Sequence, residues 1–425
     1  MRTNFDALIV GAGPAGSTAA ILLALAGWSV ALVEKQSFPR RKVCGECISP
    51  SALPLLSALG IEHELTHAAG PNLQRFALMR GPDTVVSDFP QAPDSAYRWS
   101  RALGRETLDT LLAEHARELG VQLFQPCSLV GIVGGPGAWR CDVRDLNVFA
   151  TSTLRARVAI AAHGSWEALP SDPPRRQRRP SDLLAFKANF TGASLEEGLL
   201  PVLSFDGGYG GMVVTERDVT TVAGCLRRDK LDVLRRGKLG ASAGECFEAM
   251  LRQQCAGAGE VLDKASRQGP WIGAGPIYPG IRLSAEDGLF RIGNAAGEAH
   301  PIIGEGISMA VQSAWLLCMQ LLGEDASPDR LSRGRTWQRL VARRYEREWR
   351  RQFVPRIRLA CAFAHASMHP RGSALLLALA KRWPGFLPSG SRWAGKIRCA
   401  IHPADVARLA QHHFAHVALW PTSIP

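Results

Sequence analysis

The chain has 425 residues, of which 46% are hydrophobic and 21% charged, with a formal net charge of +12. That is enough chain for two or three domains with a sizeable core, and the balance excludes a disordered protein. The charge calls for an anionic partner, either a phosphate-bearing cofactor or a membrane surface. Without zinc-finger spacing, a leucine zipper or an RNA-binding signature, nucleic acid is not expected.

Ala7 to Val10 reads as a buried parallel strand that runs straight into Gly11-Ala12-Gly13-Pro14-Ala15-Gly16. A helical run follows from Ser17 to Ala26, then a strand from Trp28 to Val33 that ends at Glu34. The spacing has a chemical reason. Gly11 permits the turn out of the strand, Gly13 lets backbone approach a pyrophosphate, and Gly16 lets helix and strand pack closely. The phosphate charge then lies on free N–H groups at the helix start. Glu34 stands where a carboxylate accepts hydrogen bonds from a ribose. The apolar Phe5 to Val10 leads into these required glycines and is no cleavable signal. No stretch reads as a membrane span, so a cytoplasmic protein is expected.

Ser37 to Glu46 is a basic loop entering a glycine turn, and places Arg40, Arg41 or Lys42 near phosphates or a flavin, with Cys44-Gly45 beside the ring. Lys35 is a further candidate contact. Cys44-Gly45-Glu46-Cys47 has redox-disulfide spacing but lacks a thioredoxin-like context, so two free thiols are expected. Arg105 opens a helix whose apolar face carries Leu108, Leu111, Leu112 and Ala116, and which Gly120 ends. Val121 to Phe124 and Val158 to Ala162 read as strands, the latter ending at His163-Gly164. A loop rich in Pro and Arg over 171–182 marks a domain boundary. Alternation in Gly211 to Thr215 and Val219 to Val222 predicts a mostly antiparallel sheet over 183–270, a floor for a substrate cavity.

A short strand over 288–293 leads into Asn294 to Gly297, then Pro301-Ile302-Ile303-Gly304-Glu305-Gly306 and a helix from Ile307 to about Leu322. The small residues let backbone approach a ligand, and the helix start offers N–H groups and a positive dipole to a reduced flavin. Beyond this, Trp337, Leu340, Val341, Tyr345 and Trp349 form an apolar stripe on an Arg-rich helix over 330–358, and Leu375 to Trp383 is apolar with a basic end. Such stretches suit anionic lipid, but packing on the preceding domain is favoured. His365, His369, His412, His413 and His416 lack carboxylate or Cys partners at ligand spacing, so no metal site is expected.

Gly11 to Gly16, Glu34, the 39–45 loop, Arg105 with Asp109, and Gly293 to Gly306 fall in the order found in the para-hydroxybenzoate hydroxylase superfamily of FAD oxidoreductases. Within it, the Cys44-Gly45 loop and Pro301-x-x-Gly304-Glu305-Gly306 most resemble the geranylgeranyl reductase-like branch. The resemblance implies an α/β, Rossmann-type FAD domain that is discontinuous (1–75, 97–168 and 275–325). A mostly antiparallel substrate domain (76–96 and 169–274) and a helical C-terminal extension (326–425) complete it. It implies FAD contacts from Gly11, Gly13, Pro14, Ala15, Gly16, Glu34, Lys35, Arg41 and Arg105, and from Gly293 and Asn294. Cys44, Gly45, Pro301, Gly304, Gly306 and Ile307 would surround the ring. NAD(P)H is the implied electron donor. Two positions depart from the pattern. Asn294 stands where the family has Asp, which predicts weaker FAD binding, and His163 replaces the Asp of the hydroxylases, which argues against direct use of NADPH. The halogenase Trp-x-Trp-x-Ile-Pro motif is absent.

Two chemistries follow from the resemblance. The favoured one is a monooxygenase that hydroxylates a hydrophobic aromatic or polyketide-like molecule through oxygen added at flavin C4a. The alternative is an ene-reductase of isoprenoid double bonds. Cys44 and Glu46 are the candidate catalytic groups. A non-catalytic FAD-binding protein docked on membranes is the rival from another class.

Overall fold

A computed structural model describes residues 2–393 apart from 93–95, 171, 173–176, 237–239, 284–286, 324–333 and 384. Two sheets organise it. In the first, the order is Gln122–Phe124, Val30–Val33, Asn4–Val10, Thr151–Ala161, Ala138–Asp145 and Cys127–Gly135, with Phe290–Arg291 also paired to Thr151–Ala161. Its central pairings are parallel, with Ala7 opposite Val30 on one side and Val158 on the other. The strands buried on both faces are the runs of Val, Ile, Leu and Ala that lack alternation. The Pro14–Leu25 helix is nearly wholly buried between this sheet and the Gly306–Leu321 helix. It therefore reads as uniformly apolar, not striped. The sheet takes strands from three separate parts of the chain, so the FAD-type domain is discontinuous.

The second sheet has eight strands: Ser266–Arg267, Leu183–Thr191, Thr220–Arg227, Gly208–Val214, Leu199–Phe205, Arg75–Arg80 and Asp83–Asp88 in order, with Ile272–Ile277 also paired to Leu183–Thr191. All its pairings are antiparallel except that of Leu199–Phe205 with Arg75–Arg80. Phe247, on the Ala243–Gln254 helix, covers one face and stacks on Phe186 at 5.1 Å. The other face looks onto the first domain.

The Arg-rich C-terminal segment is a helix from Gly334 to Met368. Val341, Tyr345, Trp349, Phe353 and Ile357 bury its stripe in the flavin-domain core, and Tyr345 Oη donates to the Arg291 carbonyl at 2.9 Å. Leu340 is the exception, exposed on the outer side. Pro370–Arg382 and Phe386–Trp393 follow as helices. No helix among the described residues is long and apolar enough to cross a membrane. His412, His413 and His416 lie outside the described residues, as do 171 and 173–176 of the 171–182 loop.

Candidate active site

The glycine turn forms as its spacing requires. Gly11 has φ of +102°, and a Cβ there would meet the Ala162 carbonyl oxygen at 2.5 Å. No side chain caps the Pro14–Leu25 helix at Gly13, which leaves its first N–H groups for a ligand. Glu34 is buried at the end of its strand and accepts the Ala12 N–H at 2.9 Å.

Three cations converge over this turn. Arg105 is held by a bidentate bond to the fully buried Asp109, at 2.7 and 2.6 Å. Burial opposes its charge, but the Asp109 carboxylate more than offsets this and its pKa is raised. Arg40 reaches both Glu34 and Asp109 at 3.4 Å, and its Nε has no hydrogen-bond partner although buried. A Cβ on Gly13 would stand 3.4 Å from Arg105 Nη2 and 3.9 Å from Arg40 Nη2. Lys42 is pushed down to about 8, first by burial, then by Arg40 and Arg105. Cations crowded so tightly over an open glycine, with a buried donor unpaired, fit a pyrophosphate.

The flavin end fits as well. A cavity of about 540 Å³ runs from Gly13 and Arg105 past Cys44 and Gly45 to Asn294 and Pro301–Ile307. A Cβ at Gly45 or Gly306 would meet nothing within 4 Å, so both face open space. Gly304 takes the left-handed conformation, φ +65°, that turns the chain into the Gly306–Leu321 helix, whose first turn carries no acidic side chain and no side-chain cap. Gly13, Pro14 and Ala15 therefore share one cavity with Cys44, Gly45, Arg105, Gly293, Asn294, Pro301, Gly304, Gly306 and Ile307. Gly11, Gly16 and Glu34 shape it from behind.

Other expected residues lie elsewhere. Lys35 is exposed and outside the cavity. Arg41 turns to Glu106 at 3.8 Å, and Arg40 is the one of the two that approaches Gly13. Cys44 and Cys47 are free thiols; Cys44 lines the cavity against Arg105, and Cys47 is buried. Glu46 has φ of +59° and is buried, its carboxylate fully engaged. It accepts the Arg105 N–H at 2.8 Å and the Thr221 hydroxyl at 2.6 Å, and is ion-paired with the buried Lys187. It ties the flavin loop to the second sheet, and so acts as a positioning residue.

Asn294 donates from Nδ2 to Ser165 Oγ at 2.8 Å and to Glu298 Oε1 at 3.4 Å, and Ser165 donates to Glu298 at 2.8 Å. The carboxylate missing at Asn294 is thus supplied nearby by Glu298, four residues along. His163 lies 3.6 Å from Asp172. Burial pushes its pKa down and Asp172 opposes that.

Beyond the flavin end, the cavity is walled by the second sheet and the C-terminal helices, among them Phe76, Leu200, Val202, Met212, Phe363 and Leu387. Two polar residues stand in this apolar wall. Tyr209 Oη lies 3.1 Å from His300 Nδ1, both buried. Burial pushes Tyr209 up and His300 down to about 4, so both are neutral near pH 7. Neither residue carries a motif in the sequence. His300 is adjacent to Pro301 of the glycine-rich stretch, and that adjacency is the only sequence signal.

Residues 4–187 match the family model for an FAD binding domain. The menaquinone reductase of Mycobacterium tuberculosis is 26% identical over 354 residues, 80% of this chain and 81% of that protein. The tryptophan 2-halogenase of Chondromyces crocatus is 27% identical over 319 residues, 73% of this chain and 59% of that one. Several curated relatives are longer, and the chain spans only 24% to 63% of their length. A flavin-dependent brominase has the same fold, with a TM-score of 0.73, 17% identity, and coverage of 97% of this chain and 100% of that one. Residues 4–187 thus carry an FAD binding domain, and the chain shares its fold with flavin-dependent enzymes of known structure.

Proposed function

We propose that the protein reduces a carbon–carbon double bond in a long, apolar, isoprenoid-like molecule. The observation that carries this reading is one continuous cavity, charged at its flavin end and mostly apolar from there to the C-terminal helices. Such a shape suits a substrate with a reactive head and a hydrocarbon tail. The menaquinone reductase, matched over about four fifths of both chains, supports it, since menaquinone is a quinone with an isoprenoid tail. The departure from the hydroxylase pattern at His163 supports it too.

Bound FAD supplies two-electron chemistry, either to a double bond or to dioxygen. The chain does the rest. Arg40, Lys42 and Arg105 hold the pyrophosphate, and the uncapped Gly306–Leu321 helix favours negative charge at the ring. The apolar wall excludes water. Tyr209, neutral and hydrogen-bonded to neutral His300, offers a proton to one carbon of the double bond, the other being the one that would take the hydride supplied by a reduced flavin.

Hydroxylation of a lipophilic aromatic ring is the second reading, favoured by the same Tyr209–His300 pair, which can take a phenolic proton as readily as give one. NAD(P)H is proposed as the donor in both cases. Anaerobic protein reduced by NADPH and then mixed with a polyprenyl alkene separates them. Flavin reoxidation with saturated product, in the absence of air, is the expected result. Reoxidation only on admitting oxygen, with a hydroxylated phenolic product, establishes the second reading instead.

A peripheral membrane contact completes the proposal. Trp383 and Leu387 line the outer end of the cavity, and Leu375, Trp383 and Trp393 are exposed beside Arg382 and Arg392. An apolar rim among cations suits an anionic bilayer, from which a lipophilic substrate would enter.

A further inference from the structure

Beside the cavity, three groups suited to a borderline metal ion come together, of which His300 lines the cavity itself. His300 is buried just before the Pro301–Ile303 turn. Cys361 and His365 lie four residues apart in the Gly334–Met368 helix, so they project from one face, a turn apart. One nitrogen of each histidine and the Cys361 sulfur all lie within 4.8 Å of one another. The two imidazoles meet edge to face at 5.8 Å.

The hydrogen bonds point to a ligand independently. His300 uses Nδ1 on Tyr209, and His365 Nδ1 lies 2.8 Å from the Cys361 carbonyl oxygen. The His300 ring is thereby oriented through Nδ1 and keeps Nε2 for another partner, while His365 Nδ1 also faces the Cys361 sulfur at 3.6 Å. Metal-ligating histidines are oriented as His300 is, with the second nitrogen bonded to a polar group.

We propose that His300, Cys361 and His365 form a zinc-class metal site with an open fourth position. Two imidazoles and a thiolate select zinc over magnesium or calcium, which prefer oxygen ligands. Tetrahedral zinc, with bonds of about 2.0 Å to nitrogen and 2.3 Å to sulfur, sets its ligand atoms about 3.3–3.6 Å apart. Closing the present cluster to that spacing takes side-chain rotation by about 1 Å, which the exposed His365 can make. Binding converts the Cys361 thiol to thiolate and releases one proton to solvent. The open position then takes water. The site shares His300 with the Tyr209 pair, but its ligands do not depend on which redox reading holds.

The test uses flavin-loaded protein, stripped with chelator and titrated with Co²⁺. One equivalent should give tetrahedral ligand-field bands at longer wavelength than the flavin, displaced by Zn²⁺. Cys361→Ser and His365→Ala should each weaken binding more than about 100-fold, with flavin content and circular dichroism unchanged. Tyr209→Phe, which only orients His300, should weaken it about tenfold. Wild-type protein without bands, or bands that persist at full strength in both ligand variants, would overturn the site.

Discussion

The two ends of the cavity are built from different materials. The flavin end is made of backbone: glycines at 11, 13 and 304, and two helix starts without side-chain caps. The far end is made of side chains from the second sheet and the C-terminal helices, where Tyr209 meets His300. A backbone site depends on what is missing, so adding a Cβ should harm it most. A side-chain site depends on what is present, so removing a polar atom should harm it while the flavin stays.

The largest effect expected is at Gly13. Gly13→Val fills the space beneath Arg105 and Arg40, and the purified protein should be colourless though folded by circular dichroism. A yellow, stoichiometrically loaded variant would mean that the pyrophosphate lies elsewhere. Next is Glu46→Gln, which leaves Lys187 charged and buried without its partner. A loss of about 3–5 kcal/mol in chemical denaturation is expected. Adding Lys187→Met to that variant should restore much of it, and no recovery would show that Glu46 acts through Arg105 and Thr221 alone.

Tyr209→Phe sharpens the contrast between the ends. It should keep full flavin and lower turnover about 100-fold, as expected for loss of a positioned proton donor. Unchanged turnover would remove the pair from the chemistry. His300 gives a pH signature. Its pKa is about 4 in the fold and near 6.5 when unfolded, so the unfolded chain takes up the proton first as pH falls. Stability should therefore be lost on acidification from about 6.5 towards 4, and His300→Gln should flatten that part of the melting-temperature profile. Equal slopes in the two proteins would show that His300 is not buried as a neutral ring. The smallest effect is at Asn294. Sequence alone expects Asp there to hold FAD at least as tightly, but Glu298 is already adjacent. Asn294→Asp should set two carboxylates together and weaken FAD binding by a few fold; tighter binding would restore the simpler view.

The flavin end was largely legible in the sequence because its physics is local. A strand, a glycine turn and a helix are consecutive, and Glu34 follows at a spacing that the βαβ geometry requires. Side-chain direction was not legible in the same way. Arg40 and Arg41 are neighbours, and only packing turns Arg40 to Glu34 and Asp109 and Arg41 to Glu106. Glu46, a candidate acid by its place beside Cys44, is consumed by Lys187 and Thr221, which are 141 and 175 residues away in the chain. The Arg-rich helix was expected to bury its stripe on the flavin domain and does so, with Leu340 left out. Cys361 stands one helical turn before His365, a partner at ligand spacing that the expectation of lone surface histidines passed over.

What the sequence by itself determined is the cofactor class and the Rossmann-type half, because glycine spacing and apolar periodicity act over a few residues and leave few alternatives. What only the tertiary structure decided is the far wall of the cavity. Tyr209, His300 and His365 come from a strand, a turn and a helix, and His300 lies 91 residues from Tyr209. No short-range pattern connects such residues. They meet because two sheets and a C-terminal helix bury their apolar faces together, and that packing places the polar groups opposite one another.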